Sequence, residues 1–311
     1  MLTVVTGAAG FVGQAVVANM RDRGYPGTVR LLDRAPVAVA GRFESHVVDL
    51  LARQSWEPLV DGATHILHLA ALPGGASEAD PERSRALNLD ATLDILEAAR
   101  RTQARLVVAS SIAVFGTPLP AQVDDSTPAL PAMTYGTHKR MAELALADGV
   151  RRQELNGIAL RLPGVVARPG ASGGFKSAFL NDVFWSMRDG QRFTMPVSPS
   201  ATSWLMSARR CAANLVHALG IAVAEPVVTL PALRVRIDEL VEAIARLIGG
   251  DAGLIDYAPE PALEAQFGAY PPLTAPLAER LGFRDDGNLE ALVAAAISPI
   301  DDKEPAIEAC E

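Results

Sequence analysis

The stretch Thr6-Gly7-Ala8-Ala9-Gly10-Phe11-Val12-Gly13 constrains the fold more than any other part of the chain. It follows a β-branched run, Leu2–Thr6, and opens an amphipathic stretch from Phe11 to Arg23 that ends at Gly24. A glycine turn between a strand and a helix has a specific physical use. Gly7 permits the tight turn, Gly10 lets the backbone approach a pyrophosphate, and Gly13 lets the helix pack close to the strand. The free N–H groups at the helix start, around Phe11 and Val12, then face the anion. Asp33 closes the second expected strand, Val29–Leu32, at about 20 residues past the glycines. A carboxylate there accepts hydrogen bonds from both hydroxyls of an adenosine ribose and repels a 2′-phosphate, which favours NAD over NADP. Arg34 beside it could tolerate the extra phosphate. Glycines also end strands for structural reasons, and Asp33 alone could be a solvated turn residue. The strand–turn–helix context favours the dinucleotide.

Alternation continues down the chain. Val47–Val48 reads as the core of a third strand, and Ile66–Leu69 and Leu106–Ala109 are apolar on both alternating faces, as fully buried strands are. Between them, Ser84 to Arg101 puts Leu87, Ala91, Ile95 and Ala98 on one helical stripe. A helix over Thr134 to Glu154 precedes a strand at Ile158–Leu162. This order predicts a Rossmann-type α/β fold, a doubly wound parallel sheet with helices on both faces. After Leu162 the texture changes: residues 163–174 are rich in glycine and proline, and helical spacing resumes over Phe175 to Asp189 and Ser207 to Leu219. From about Val235 helices alternate with Pro-rich turns. The expected organisation is a nucleotide-binding lobe from residues 1–163 plus about 201–230, a smaller α/β substrate lobe from about 164–200 plus 231–298, and a frayed acidic tail over 299–311.

Composition narrows the function. With 311 residues the chain can bury a large core, and its net charge of −8 repels phosphate backbones, so no nucleic-acid partner is expected. Two distant cysteines, Cys211 and Cys310, make no disulfide framework and point to a reducing, cytoplasmic setting, with Cys211 as inert core. The apolar start from Met1 to Met20 lacks a basic leader and is punctuated by glycines, and no run reaches membrane-spanning length, so no membrane partner is expected. His65 and His68, three residues apart on a strand, point to opposite faces; no metal site is expected, and one buried, hydrogen-bonded histidine is.

Chemistry concentrates in Tyr135-Gly136-Thr137-His138-Lys139. Positions i and i+4 share a helix face, so the phenol and the ammonium lie side by side. A free phenol has a pKa of about 10, and each unit of lowering is worth about 1.4 kcal/mol. A neighbouring ammonium and a positively charged nicotinamide both favour the phenolate. Tyr135 is then a usable general base for alcohol oxidation, and Lys139 can also hydrogen-bond the nicotinamide ribose. Ser110-Ser111 ends the fifth expected strand, at the carboxyl edge where such sheets bind ligands. Ser111 can hydrogen-bond the reacting oxygen and steady its developing charge.

Together these residues resemble the extended short-chain dehydrogenase/reductase family. The resemblance runs in order through the glycine turn, Asp33, Asp49-Leu50, His68-Leu69-Ala70-Ala71 and Asn88-Leu89-Asp90-Ala91-Thr92. It continues through Ser110 to Gly116, Tyr135 to Lys139 and Arg161-Leu162-Pro163. It implies that Asp49 and Leu50 flank the adenine, that Leu69, Ala70 and Ala71 line the adenosine side, and that Asn88 supports the active-site helix. It implies that Leu162 and Pro163 lie against the nicotinamide, that Ser111, Tyr135 and Lys139 are the catalytic set, and that the protein is a homodimer. Further stretches, Ser111 to Pro120, Asp124 to Pro128, Arg161 to Gly170, Pro196 to Pro199 and Ser207 to Arg210, are similar to family members that oxidise a small sugar acid. One departure is Thr202-Ser203 before Trp204, where a basic residue could grip the substrate carboxylate. Arg161, Arg168 and Arg209 remain as candidates for that role, and Trp204 reads as packing.

Two rival readings follow. Nucleotide-sugar epimerases and dehydratases of the family retain their NAD, and resemble one another in a segment with a paired acidic motif between the lobes. Residues 202–210 here have no acidic pair, which favours a simple dehydrogenase. A non-catalytic dinucleotide sensor would need neither Tyr135 nor Lys139, so their presence with Ser111 favours an enzyme.

Overall fold

The computed structural model describes residues 1–170 and 177–298. The acidic tail, Cys310 and the first residues of the helix expected from Phe175 lie outside the described residues. Six parallel strands come first, with helices between all of them except β2 and β3: β1 (Leu2–Thr6), β2 (Thr28–Asp33), β3 (Phe43–Val47), β4 (His65–His68), β5 (Arg105–Ser111) and β6 (Asn156–Leu162). Three short strands follow in the second half, β7 (Gly164–Val166), β8 (Phe193–Met195) and β9 (Thr202–Ser207), and then β10 (Val227–Thr229), β11 (Leu233–Arg236) and β12 (Ile255–Tyr257).

The main sheet has the order β10-β6-β5-β4-β1-β2-β3, and all its pairings are parallel. Strand order reverses between β1 and β4, and open α/β sheets bind ligands in the crevice at such a point. The doubly apolar strands have a direct cause. Val5, Leu67 and Val107 pack under the helices Phe11–Asp22 and Ala208–Gly220, while their neighbours Val4, Ile66 and Leu106 pack under Trp56, Ile95 and Leu146. Both faces are covered, so the middle of each of these strands is shielded from water.

A second sheet, β11-β9-β7, and a two-stranded sheet of β12 and β8 form the smaller layer. Phe184 of the helix Phe179–Arg188 and Ile244 of the helix Ile237–Ile248 share one core with Leu205 of β9 and Leu292 near the C-terminal end. The helix Ala208–Gly220 returns to the main sheet, and β10 adds to its edge beside β6.

Three expectations need correction. The third strand is Phe43–Val47, and Val47 is its 62% exposed last residue rather than its core. It is an edge strand with only β2 beside it, so polar residues alternate along it, and the buried Val48 lies just past its end. The helix expected over Ser84 to Arg101 is interrupted: Pro81–Ser84 is followed by a π-helical turn, Arg85–Asp90, and then by Ala91–Thr102. The wider turn carries Asn88 inward, whereas Ala91, Ile95 and Ala98 keep their buried stripe. Finally, β7 lies in the stretch that reads as glycine- and proline-rich, because a three-residue strand carries too little periodicity to be seen.

Candidate active site

At the carboxyl ends of β1, β4, β5 and β6 lies a cleft of about 340 Å³. Gly7, Gly10, Phe11, Val12 and Gly13 form one wall, and Leu69 and Ala71 adjoin it. Ser111, Tyr135 and Lys139 face them, with Leu162 and Pro163 alongside. Residues separated by more than a hundred positions thus share one space.

Two of the three glycines have clear steric reasons within the protein itself. Gly7 has φ +73°, and a Cβ there would lie 2.5 Å from the Ala70 nitrogen. A Cβ on Gly13 would lie 2.2 Å from the Gly7 carbonyl oxygen, so helix and strand could not pack as they do. Gly10 is different: the nearest atom to its Cβ would be the Gly7 oxygen at 3.2 Å. The protein alone constrains position 10 less than position 7 or 13, and a side chain there would also crowd an anion entering the cleft. That cradle fits a dinucleotide.

Of the other residues expected around the cofactor, Asp33, Arg34, Asp49, Leu50, Ala70 and Asn88 lie outside the cleft lining. Asp33 ties the end of β2 to the glycine turn: its carboxylate accepts from Ala9 N–H at 3.0 Å and from Ala35 N–H at 3.2 Å. Arg34 is exposed. The Asp49 carboxylate accepts from Leu51 N–H at 3.0 Å. The Leu50 side chain is buried beside Trp56 in the core. Asn88 is fully buried; its amide accepts from Leu72 N–H at 2.7 Å and donates to the Leu72 carbonyl at 2.9 Å. It also donates to Ser84 Oγ at 3.2 Å, which in turn lies 2.9 Å from His138 Nδ1. Asn88 therefore reaches the helix Thr134–Arg151, which carries Tyr135 and Lys139.

Lys139 is buried, and its Nζ donates to the Ala109 carbonyl at 2.7 Å and lies 5.7 Å from the Tyr135 ring centroid. Burial pushes its pKa down to about 8, against the pull of the Glu143 carboxylate. Burial also pushes the half-buried Tyr135 phenol up to about 12. The groups that draw the phenol back down are the Ser111 hydroxyl and the Arg168 charge. In the protein alone, desolvation outweighs the neighbouring charges. Ser111 Oγ accepts from Ala113 N–H at 3.1 Å, capping the short turn Ile112–Val114 that follows β5.

A second cavity of about 240 Å³ adjoins the cleft. Ser111, Tyr135, Pro163, Val165 and Arg168 line both spaces. Asn181, Ser203 and Tyr270 line the far side of the second. Among the three arginines, Arg161 is taken: its guanidinium donates twice to Glu143 at 2.9 Å in a buried pair and lies 5.0 Å from the Phe115 ring. Arg209 lines neither space. Arg168 lines both, with its guanidinium 5.7 Å from the Phe11 ring of the glycine turn. Trp204 is fully buried, donates to the Pro271 carbonyl at 2.7 Å and stands edge-on to Tyr270, so it packs rather than faces a ligand.

His68 is fully buried between Thr6 and Thr92, at 2.7 and 2.9 Å, and burial holds its pKa down at about 3. It is a neutral link between β4 and the helix Ala91–Thr102. Burial pushes the Cys211 thiol up to about 12, as for inert core. Among the described residues, no group of three His, Cys, Asp or Glu side chains could hold a metal ion, and no helix is long and apolar enough to cross a membrane.

Residues 3–205 match the model of the NAD dependent epimerase/dehydratase family. The chain belongs to that family. D-erythronate dehydrogenase of Cupriavidus necator is 31% identical, covering 95% of this chain and 97% of its own. D-erythronate dehydrogenase of Haemophilus influenzae is 33% identical, over 70% of this chain and 72% of its own. The crystal structure of the nucleoside-diphosphate-sugar epimerase from Agrobacterium tumefaciens superposes with a TM-score of 0.86 at 30% identity, covering 94% of this chain and 92% of that one.

Membership in the NAD dependent epimerase/dehydratase family makes the protein an NAD-dependent enzyme of the extended short-chain dehydrogenase/reductase type. Two residues at this family member's site escaped the sequence reading. Glu78 lines the second cavity and accepts from the Thr134 backbone N–H at 2.5 Å, so a carboxylate from another helix caps the one that carries Tyr135 and Lys139. Nothing local signals a contact across 56 positions. Glu143 lies four residues beyond Lys139, and a signal existed there: the polar stripe Tyr135, Lys139, Glu143 runs on for a second turn.

Proposed function

We propose that this protein is an NAD-dependent dehydrogenase that oxidises a secondary hydroxyl of a small sugar acid of the D-erythronate class. The observation that carries the reading is the shared border of the two spaces at Ser111 and Tyr135. A hydroxyl entering from the cavity and a dinucleotide in the cleft would meet at that phenol. The relatives support the substrate class, since one of them matches the chain nearly end to end, including the layer that closes the cavity.

Gly7, Gly10, Phe11, Val12 and Gly13 would hold the pyrophosphate, Asp33 the adenosine ribose, and Leu162 and Pro163 the nicotinamide side. When bound, NAD supplies the hydride acceptor and a positive ring charge beside the phenol. Tyr135 takes the proton of the substrate hydroxyl, and Ser111 orients the oxygen while the carbon becomes a ketone. Lys139 holds the nicotinamide ribose. Arg168 offers the substrate carboxylate a guanidinium at the same border. The second layer excludes water from the reacting groups and so strengthens each of these interactions. Exposed Leu93, Met141 and Leu144 on the two helices flanking β5 support a homodimer, which sedimentation would test.

A second reading, an epimerase or dehydratase that retains its NAD, draws on the likeness to the Agrobacterium enzyme. One experiment separates the two. Purified protein is given NAD or NADP with four- to six-carbon aldonates and uronates, and NADH absorbance is followed. Net NADH that accumulates until a sugar acid is exhausted is expected. Conversion of a nucleotide sugar without net NADH, and no turnover of any sugar acid, would overturn the proposal.

A further inference from the structure

We infer that Glu143 is a positioning residue that keeps Lys139 charged and fastens the catalytic helix to the ends of β5 and β6. Tyr135, Lys139 and Glu143 stand at successive turns of one helix, on one face. Each turns toward the end of β5: Tyr135 beside Ser111 in the cleft, Lys139 onto the Ala109 carbonyl, and Glu143 onto Ser110 Oγ, which donates at 2.6 Å. Glu143 is 1% exposed and Lys139 2%.

The carboxylate is fully engaged. Besides Ser110 it accepts from Arg161 Nε and Nη2, both at 2.9 Å, and from Arg140 Nη1 at 3.1 Å. Arg161 sits opposite Ser110 in the β5–β6 register, and the next pair is Ser111 with Leu162. One buried carboxylate therefore aligns the serine-bearing strand, the strand that leads to the nicotinamide side, and the helix with the phenol.

A buried ammonium strongly prefers to shed its proton unless an anion accompanies it. The charged and titratable groups facing Lys139 come from several elements. Tyr135 and Glu143 lie on its own helix, His68 comes from β4, and Arg161 of β6 and Arg140 stand behind Glu143. His68 and Tyr135 are held neutral, so Glu143 is the anion that acts on Lys139. A merely structural ion pair with Arg161 would leave Lys139 indifferent to the charge of Glu143.

That difference is measurable without cofactor or substrate. The chain has three lysines, Lys139, Lys176 and Lys303, so 13Cε-lysine labelling yields three resonances, and Lys139→Arg assigns the one of interest. In the intact protein Lys139 is expected to titrate near 8. Glu143→Gln should move that midpoint down by about one unit, and Glu143→Asp should restore most of it. Should Glu143→Gln not fold, Arg161→Gln tests the same network with the opposite sign. With one guanidinium fewer on Glu143, the Lys139 midpoint should rise. An unmoved midpoint in either of these two variants, once folded, would overturn the inference. Its catalytic consequence rests on the function proposed above, but the titration does not. A shifted lysine with no dehydrogenase activity would therefore reject that function and keep this role.

Discussion

Lys139 stands one helical turn beyond Tyr135, with its Nζ 5.7 Å from the centre of the tyrosine ring. Both groups are displaced from their ordinary pKa values, and in opposite directions: the phenol up to about 12, the ammonium down to about 8. One cause serves both, since burial disfavours whichever form carries charge, the phenolate in one case and the ammonium in the other. On the proposed mechanism, positive charge arriving beside the phenol is what would favour the phenolate.

If Lys139 holds the nicotinamide ribose as an ammonium, dinucleotide affinity should weaken as pH rises through about 8. Lys139→Met should bind weakly at all pH and lose that dependence, as NADH fluorescence titrations would show. Folding responds differently. The folded pKa lies below the ordinary 10.5, so the unfolded chain binds more protons between about 8 and 10.5. The cost of burying this lysine is complete below about pH 8 and is relieved as pH climbs toward 10.5, where thermal unfolding should show the gain.

Tyr135→Phe removes the proton acceptor and little volume. Turnover of the sugar acid should fall by about 10²–10⁴-fold, while NADH binding stays close to that of the unaltered protein. Unchanged turnover would mean that the phenol takes no part in the chemistry.

Gly10 and Gly13 should respond differently to alanine. Gly13→Ala drives a methyl into the Gly7 carbonyl and should cost about 1–3 kcal/mol of stability by overpacking. Gly10→Ala meets that oxygen at 3.2 Å, a tight but far longer approach, so its unfolding temperature should fall less than that of Gly13→Ala while dinucleotide affinity falls. Calorimetry and binding titrations on the two variants check this separation.

Arg168→Met should raise KM for a sugar acid more than it lowers kcat. A charge-assisted hydrogen bond worth about 1.5–3 kcal/mol corresponds to a loss in kcat/KM of about tenfold to a hundredfold. A neutral polyol, if oxidised at all, should be indifferent to the change. Equal losses for both substrates would instead place Arg168 on the dinucleotide side, toward Phe11.

Much of this protein was legible in its sequence, because the features concerned are written in neighbouring residues. Val4-Val5, Ile66-Leu67 and Leu106-Val107 are apolar in succession because helices cover both faces of the sheet. Gly7, Gly10 and Gly13 mark a turn whose geometry is set within eight residues, and the four-residue spacing of Tyr135 and Lys139 is a property of one helix. Periodicity could not show that Arg161 is consumed by Glu143 while Arg168 reaches the cavity, or that Glu78 caps the helix at Thr134. Nor could it show that a π turn carries Asn88 inward, or that desolvation rather than the nearby ammonium dominates the Tyr135 phenol. Local chain geometry decides which residues share a face. Which charges meet, and how much water remains around them, depends on segments far apart in sequence, and only the packed structure brings those together.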